Sequence, residues 1–236
     1  MNELVQVGDL RIEVRRSLRR RTVDLIVDRF GGLVINVPEG LSSRDVETII
    51  YRKQEWIYTK LNQKETVLRP GEPKEYIAGE GFHYLGKKYR LKLFDPPITE
   101  RRFPPLRLLN GQFCMIRSEA ADGRKLFVSW YSRQGQKWIT DAAGSLKERV
   151  LAEPRSIFVR DLKFRWGSCN AEGDVYLHWR VMLLPPRYIR YLILHELVHL
   201  REHNHSPAFY QRLSQVAPDY RELEAWLEVH GDHYSL

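Results

Sequence analysis

The sequence predicts an α+β fold in two parts. Residues 1–122 form a β-rich N-terminal part with one helix, and residues 123–236 combine a small sheet with several helices. Three observations predict it. "LRIEVRRS" and "RTVDLIVDRFGGLVINVPEG" alternate apolar and polar residues at the period of a half-buried strand. "RDVETIIYRKQEWIYTKLNQ" sets Val46, Ile49, Ile50, Ile57 and Leu61 at helical spacing. "YLILHELVHL" is apolar on nearly every side, as a helix sunk in a core must be.

The elements follow in chain order. Gly31-Gly32 lies between two alternating runs and signals a hairpin turn. Ser42 or Ser43 can cap the helix that follows. "EYIAGEGFHYLGKKYRLKLF" returns to short strands with a turn at Gly86, and Pro96, Pro97, Pro104 and Pro105 punctuate an irregular link. "PLRLLNGQFCMIRS" reads as a hairpin around Asn110-Gly111. The stretch 125–150 has helical character, interrupted in propensity by Gly135 and Gly144. "RSIFVRDLKFRWGSCN" starts as a strand and ends in a Gly-Ser turn, and "GDVYLHWRV" alternates as a second strand. Pro185-Pro186 opens a helix from about Arg187 to His203. Asn204 can end it in the left-handed conformation, after which Ser206-Pro207 and Pro218 start two more helices.

Composition sets the outer bounds. With 236 residues, 43% hydrophobic and 29% charged, the chain reads as an ordinary water-soluble globular protein. No apolar run is long enough to span a bilayer, so no membrane partner is expected. "MNELVQVGDL" lacks the basic start and apolar block of a secretory signal. Cys114 and Cys169 make no disulfide framework, and the expected location is the cytoplasm. The net charge of +8 makes nucleic acid a candidate partner. The densest basic run, "RIEVRRSLRRR" from Arg11 to Arg21, is read instead as the solvated outer faces of strands, because no basic helix or RNA-binding motif accompanies it.

The chemistry is concentrated in "YLILHELVHLREHNHSPAF". Burying imidazoles and a carboxylate is costly unless something satisfies them, and a metal ion is the most economical satisfier. His195 and His199 are one helical turn apart on one face, where both can reach one ion. Glu196 is turned about 100° away from His195, which aims its carboxylate at a water beside the ion. Catalytic zinc usually takes three protein ligands and keeps one position open. His203 would lie roughly 12 Å along a continued helix from His195, whereas ligand atoms around tetrahedral zinc are only about 3.3 Å apart. His205, beyond the break at Asn204, can fold back and is therefore the third ligand expected. His178, His230 and His233 carry no such pattern and read as structural or solvated.

These residues resemble a known family. "RWGSC" (Arg165–Cys169), the "LHW" strand, "YLILHELVHLREHNHSPAF" and "APDYRELEAWL" are similar to the YgjP-like metallopeptidase domain, related to SprT-like proteases and more broadly to zincins. "RRTVDLIV", "WIYTKL" and "YLGKKYRL" extend the likeness over most of the chain. The chain departs from the family at Leu177-His178-Trp179, where the family strand often has asparagine in the middle. The resemblance implies a zincin-like catalytic half, a Zn2+ cofactor on His195, His199 and His205, and Glu196 as catalytic carboxylate acting on a peptide or protein substrate. Glu196 would take a proton from the attacking water and pass it to the leaving amine. Arg165, His178, His203 and the tyrosines are candidates for stabilising the oxyanion. "DVYLHW" is expected along the cleft, offering an edge to an extended peptide, and "RWGSC" as a turn bracing the metal helix. Two rivals remain: a metal-dependent ribonuclease, and a nucleic-acid-associated protein with structural zinc.

Overall fold

The structure is a computed structural model describing residues 3–27, 32–58, 60, 74–96, 103–162, 165–203 and 205–236. The chain divides into two compact units, Met1–Pro70 and Gly71–Leu236.

In the first unit, β1 (Glu3–Val7), β2 (Leu10–Ser17), β3 (Asp24–Val27) and β4 (Leu33–Pro38) form one sheet in the order β1-β2-β4-β3. Strands β2 and β4 pair in parallel and the other neighbours antiparallel. Period-two alternation sorts β2 as expected: Leu10, Ile12 and Val14 are buried, and Arg11 is exposed. The core is completed by Val46 and Ile50 of α1 (Ser43–Arg52) and by Ile57 from a helical stretch at 54–58. The Ser42 side chain caps α1 by accepting the Asp45 backbone N–H at 3.2 Å. Gly31 of the expected hairpin turn lies outside the described residues.

The second unit opens with β5 (Gly81–Tyr84), β6 (Lys87–Phe94), β7 (Leu106–Leu109) and β8 (Gln112–Ile116), a sheet ordered β5-β6-β8-β7. Both of its hairpin turns have positive φ at two successive residues, Leu85-Gly86 (50° and 77°) and Asn110-Gly111 (47° and 74°), the form that suits the twist of paired strands. The sheet's inner face supplies Phe82, Leu91, Phe113 and Met115 to the core that also holds Phe127, Trp130, Leu192 and Leu197. That shared core is why the compact units divide at Pro70, whereas the sequence reading divides the chain at 122/123.

Helix α2 (Gly123–Val150) runs unbroken through both of its interior glycines. Gly135 is placed by packing: a Cβ there would stand 3.0 Å from Met182 Cγ and 3.2 Å from Val159 Cγ1. Its low propensity is offset by close approach to the core. Next come β9 (Ser156–Arg160), β10 (Gly167–Cys169) and β11 (Asp174–His178), then α3 (Pro186–Val198), α4 (Pro207–Val216) and α5 (Tyr220–His230). The strand order is β10-β11-β9, with β11 parallel to β9 and antiparallel to β10. The expectation of β11 as a free edge is therefore wrong, because parallel pairing with β9 occupies its second side. Among the described residues, no helix is long and apolar enough to cross a membrane.

Candidate metal centre

Helix α3 begins with Pro186 in its first turn and is buried at Ile189, Leu192, Ile193, Leu194, Leu197 and Val198. It ends at Val198, earlier than the sequence reading of His203, and the next residues close tight turns in which the Leu200 and Arg201 N–H groups donate to Leu197 and Val198 carbonyls. Asn204, the expected breaker, is outside the described residues. Ser206 caps α4 by accepting the Phe209 N–H at 3.3 Å, so the chain turns back over the end of α3.

That reversal brings His205 to the helical pair. His195 Nε2 is 3.0 Å from His205 Nε2, which is 3.1 Å from His199 Nε2. His195, His199 and His205 are the described residues whose ligand atoms converge in this way, all within 4.8 Å of one another. His203 is exposed and outside the group. The separations sit close to the roughly 3.3 Å expected between ligand atoms on tetrahedral zinc. His199 Nδ1 lies 3.0 Å from the Glu202 carbonyl, which requires its proton on Nδ1 and leaves the Nε2 lone pair aimed at the other rings. The donor set and its tautomer fit a divalent cation.

Burial holds all three imidazoles neutral, the form that binds metal. It lowers His199 and His205 from the usual value and pushes His195 down to about 3, with the neighbouring histidines adding to the effect. Beneath the rings is Phe209, wholly buried, with its ring centre 5.0, 4.5 and 4.7 Å from those of His195, His199 and His205. In the sequence Phe209 is simply an apolar residue two places beyond Pro207. Its contact with all three rings is a product of the chain reversal.

Glu196 is 4% exposed, and its Oε2 has no hydrogen-bond partner among the described residues. Burial pushes its carboxyl up to about 8, opposed by the charge of Arg165. Here the structure corrects the reading of "RWGSC". Gly167–Cys169 is a strand, not a turn, and the turn lies beyond it, where Asn170 Oδ1 accepts the Asp174 N–H at 2.7 Å. Gly167 is needed for space: a Cβ there would stand 2.5 Å from Glu196 Oε1 and 2.7 Å from its Cδ. Trp166 packs on Gly231 and beside the Arg180 guanidinium. Cys169 lies near Glu196, and burial followed by that carboxylate raises its thiol to about 11, so it stays protonated and apart from the histidine group.

The remaining histidines have other duties. His178 is buried, with Nδ1 accepting the Arg180 N–H at 3.0 Å and Nε2 3.2 Å from Asp161 Oδ1. Both nitrogens are committed, which removes it from the oxyanion candidates. His230 packs on Trp226 and His233 at 4.9 and 5.9 Å between ring centres.

A buried helix presenting two histidines and a carboxylate, with a third histidine folded back, defines a metal-dependent hydrolase. The YgjP-like metallopeptidase domain model matches residues 21–230, and the chain belongs to that family. It is 42% identical over 78 residues to the UTP pyrophosphatase of Escherichia coli (strain K12), a match covering 33% of this chain and 47% of that protein. The chain thus matches about half the length of that curated relative. The crystal structure of the metallopeptidase zymogen of Pyrococcus abyssi abylysin is similar over 37% of this chain and 89% of its own, at 24% identity and a TM-score of 0.35.

Proposed function

We propose that this protein is a zinc-dependent peptidase in which His195, His199 and His205 hold the ion and Glu196 is the general base. The observation that carries the reading is the convergence of three neutral imidazoles beside a buried carboxylate with an unpartnered oxygen. A cation held by these histidines would supply Lewis acidity, acidifying water and polarising the scissile carbonyl. A cation beside it would favour the ionised form of Glu196 against burial, and in that form Glu196 would accept the proton of the attacking water and deliver it to the leaving amine. Gly167 keeps the strand backbone close to Glu196 without displacing its carboxylate. Arg165, whose charge acts on Glu196, is a cationic side chain that could assist the developing negative charge. The substrate is a peptide or protein, and two free cysteines, Cys114 and Cys169, support a cytoplasmic location.

A second reading is hydrolysis of a nucleoside triphosphate at the same centre. It is favoured by the Escherichia coli relative named a UTP pyrophosphatase, and Lewis acidity serves a phosphoryl oxygen as well as a carbonyl.

Glu196→Gln tests both. The substitution keeps size and hydrogen bonding but removes the proton acceptor, which is worth about 10²–10⁴-fold in rate. The variant is expected to retain zinc and fold while losing at least about two orders of magnitude in peptide hydrolysis. Wild type is assayed in parallel on unfolded protein, on UTP and on an RNA pool. Turnover of UTP without proteolysis moves the assignment to the second reading, and RNA cleavage alone moves it to a ribonuclease. Full proteolytic activity in Glu196→Gln removes Glu196 from the mechanism.

A further inference from the structure

The four strands β5 to β8 contain five lysines and arginines and no aspartate or glutamate. Their two faces differ sharply. Phe82, Leu91, Phe113 and Met115 fill the core, while Lys88, Arg90 and Lys92 alternate with them along β6 and are exposed on the outer face. The register places Gly81, His83, Gln112 and Cys114 beside those three cations, and Arg107 opposite Cys114. None of these neighbours is acidic. Among the described residues, Lys88, Arg90 and Lys92 have no ion-pair partner, and β6 is an interior strand of the sheet. At the end of the row, the Arg107 guanidinium lies over the rings of Phe103 and Phe94, 4.4 and 5.4 Å from their centres.

We infer that this outer sheet face binds single-stranded nucleic acid, with Lys88, Arg90 and Lys92 on every second phosphate and the Phe94–Phe103–Arg107 group beside a base. Charge complementarity selects a polyanion. The row's geometry selects a single line of it. Side chains two apart on a strand are about 6.6 Å apart, close to twice the roughly 3.4 Å of helix axis that a stacked strand spends on each phosphate. A bilayer would ask for cations spread over a plane with apolar anchors, and a duplex for cations facing two phosphate lines. Electropositivity is felt inside the face: His83 is lowered first by burial and then by Lys88 and Lys74. The inference is independent of the metal centre and of what that centre hydrolyses.

The test uses the full chain loaded with zinc and a fluorescent oligo(U) of about 12 nucleotides. Three phosphate contacts on a single strand predict a log–log salt slope near −2, a loss of roughly ten- to twentyfold in affinity between about 50 and 200 mM salt. Lys88→Ser, Arg90→Ser and Lys92→Ser together should weaken binding at least about tenfold at the lower salt and flatten the slope, with zinc content and circular dichroism unchanged. An unaltered triple variant, absence of binding by wild type at low salt, tighter binding to a duplex of the same length, or binding to phosphatidylserine vesicles alone would each overturn the inference.

Discussion

The two compact units handle charge in opposite ways. In the first, charge stays at the surface and much of it is answered there: Arg15 pairs with Glu13 at 2.8 Å, Arg16 with Glu3 at 2.9 Å, and Arg20 with Asp24 at 3.9 Å. Strand polarity in that sheet marks which side faces water. In the second unit, Glu196 is carried into the core and left incompletely answered. Three imidazoles face one another, and among the described residues Glu196 Oε2 has no partner. A buried unmet polar group costs about 1–3 kcal/mol, and a fold that keeps one beside three converging imidazoles uses it for something other than stability. Function is read where the pairing fails, not where the charge density is highest.

The comparison breaks if the unmet groups do not hold metal. His205→Ala should lose most of the roughly one zinc per chain expected for a three-histidine centre, and hydrolysis with it. His203→Ala should keep both, since His203 is exposed and outside the convergent group. Elemental analysis of the two purified variants decides. Loss of zinc in His203→Ala with retention in His205→Ala would reverse the assignment.

A smaller effect sharpens the comparison by disturbing the carboxylate without touching a ligand. In Gly167→Ala the new Cβ would stand 2.5 Å from Glu196 Oε1, so one group must move. Overpacking of this kind costs about 1–3 kcal/mol, and a displaced general base costs roughly tenfold or more in rate. Zinc content should stay near wild type, the melting temperature should fall, and kcat should drop more than KM changes. An unchanged kcat would mean that Glu196 has room the close approach does not suggest.

The pieces legible in the sequence were those fixed by local geometry. His195 and His199 follow from helical spacing, and the preference for His205 over His203 from the length of a helical turn. Ser42, Ser206 and the Asn110-Gly111 turn are also local, and the structure uses each as expected. What stayed illegible depends on partners distant in the chain. Gly167 looks like a turn residue until α3 sets Glu196 against it. Strand β11 looks like an edge until β9 pairs with it in parallel. Strands β5 to β8 share the alternation of the first sheet, and periodicity cannot say which core they join; Phe82 and Phe113 join that of α2 and α3. The glycines at 135 and 144 weaken α2 only by propensity, and packing against Met182 and Val159 overrides it at Gly135.

The smallest effect is expected where the sequence is most basic. Arg19 and Arg21 are exposed, and Arg20 forms a 3.9 Å pair with Asp24, a partly exposed bridge of the kind worth about 0–1 kcal/mol. All three belong to the unit that contains none of His195, Glu196, His199 and His205. Replacing Arg19, Arg20 and Arg21 with Ser removes three cations, the same number as the Lys88, Arg90 and Lys92 replacement. It therefore serves as the control for net charge. Turnover of a short unstructured peptide should stay within a few-fold of wild type, because neither the proposed ligands nor the proposed general base is touched. Binding of oligo(U) should weaken less than in the β6 variant if position matters more than total charge. A collapse of peptide turnover with the circular dichroism spectrum intact would mean that the first unit takes part in catalysis. The division of labour between a surface that answers its own charges and a core that does not would then fail.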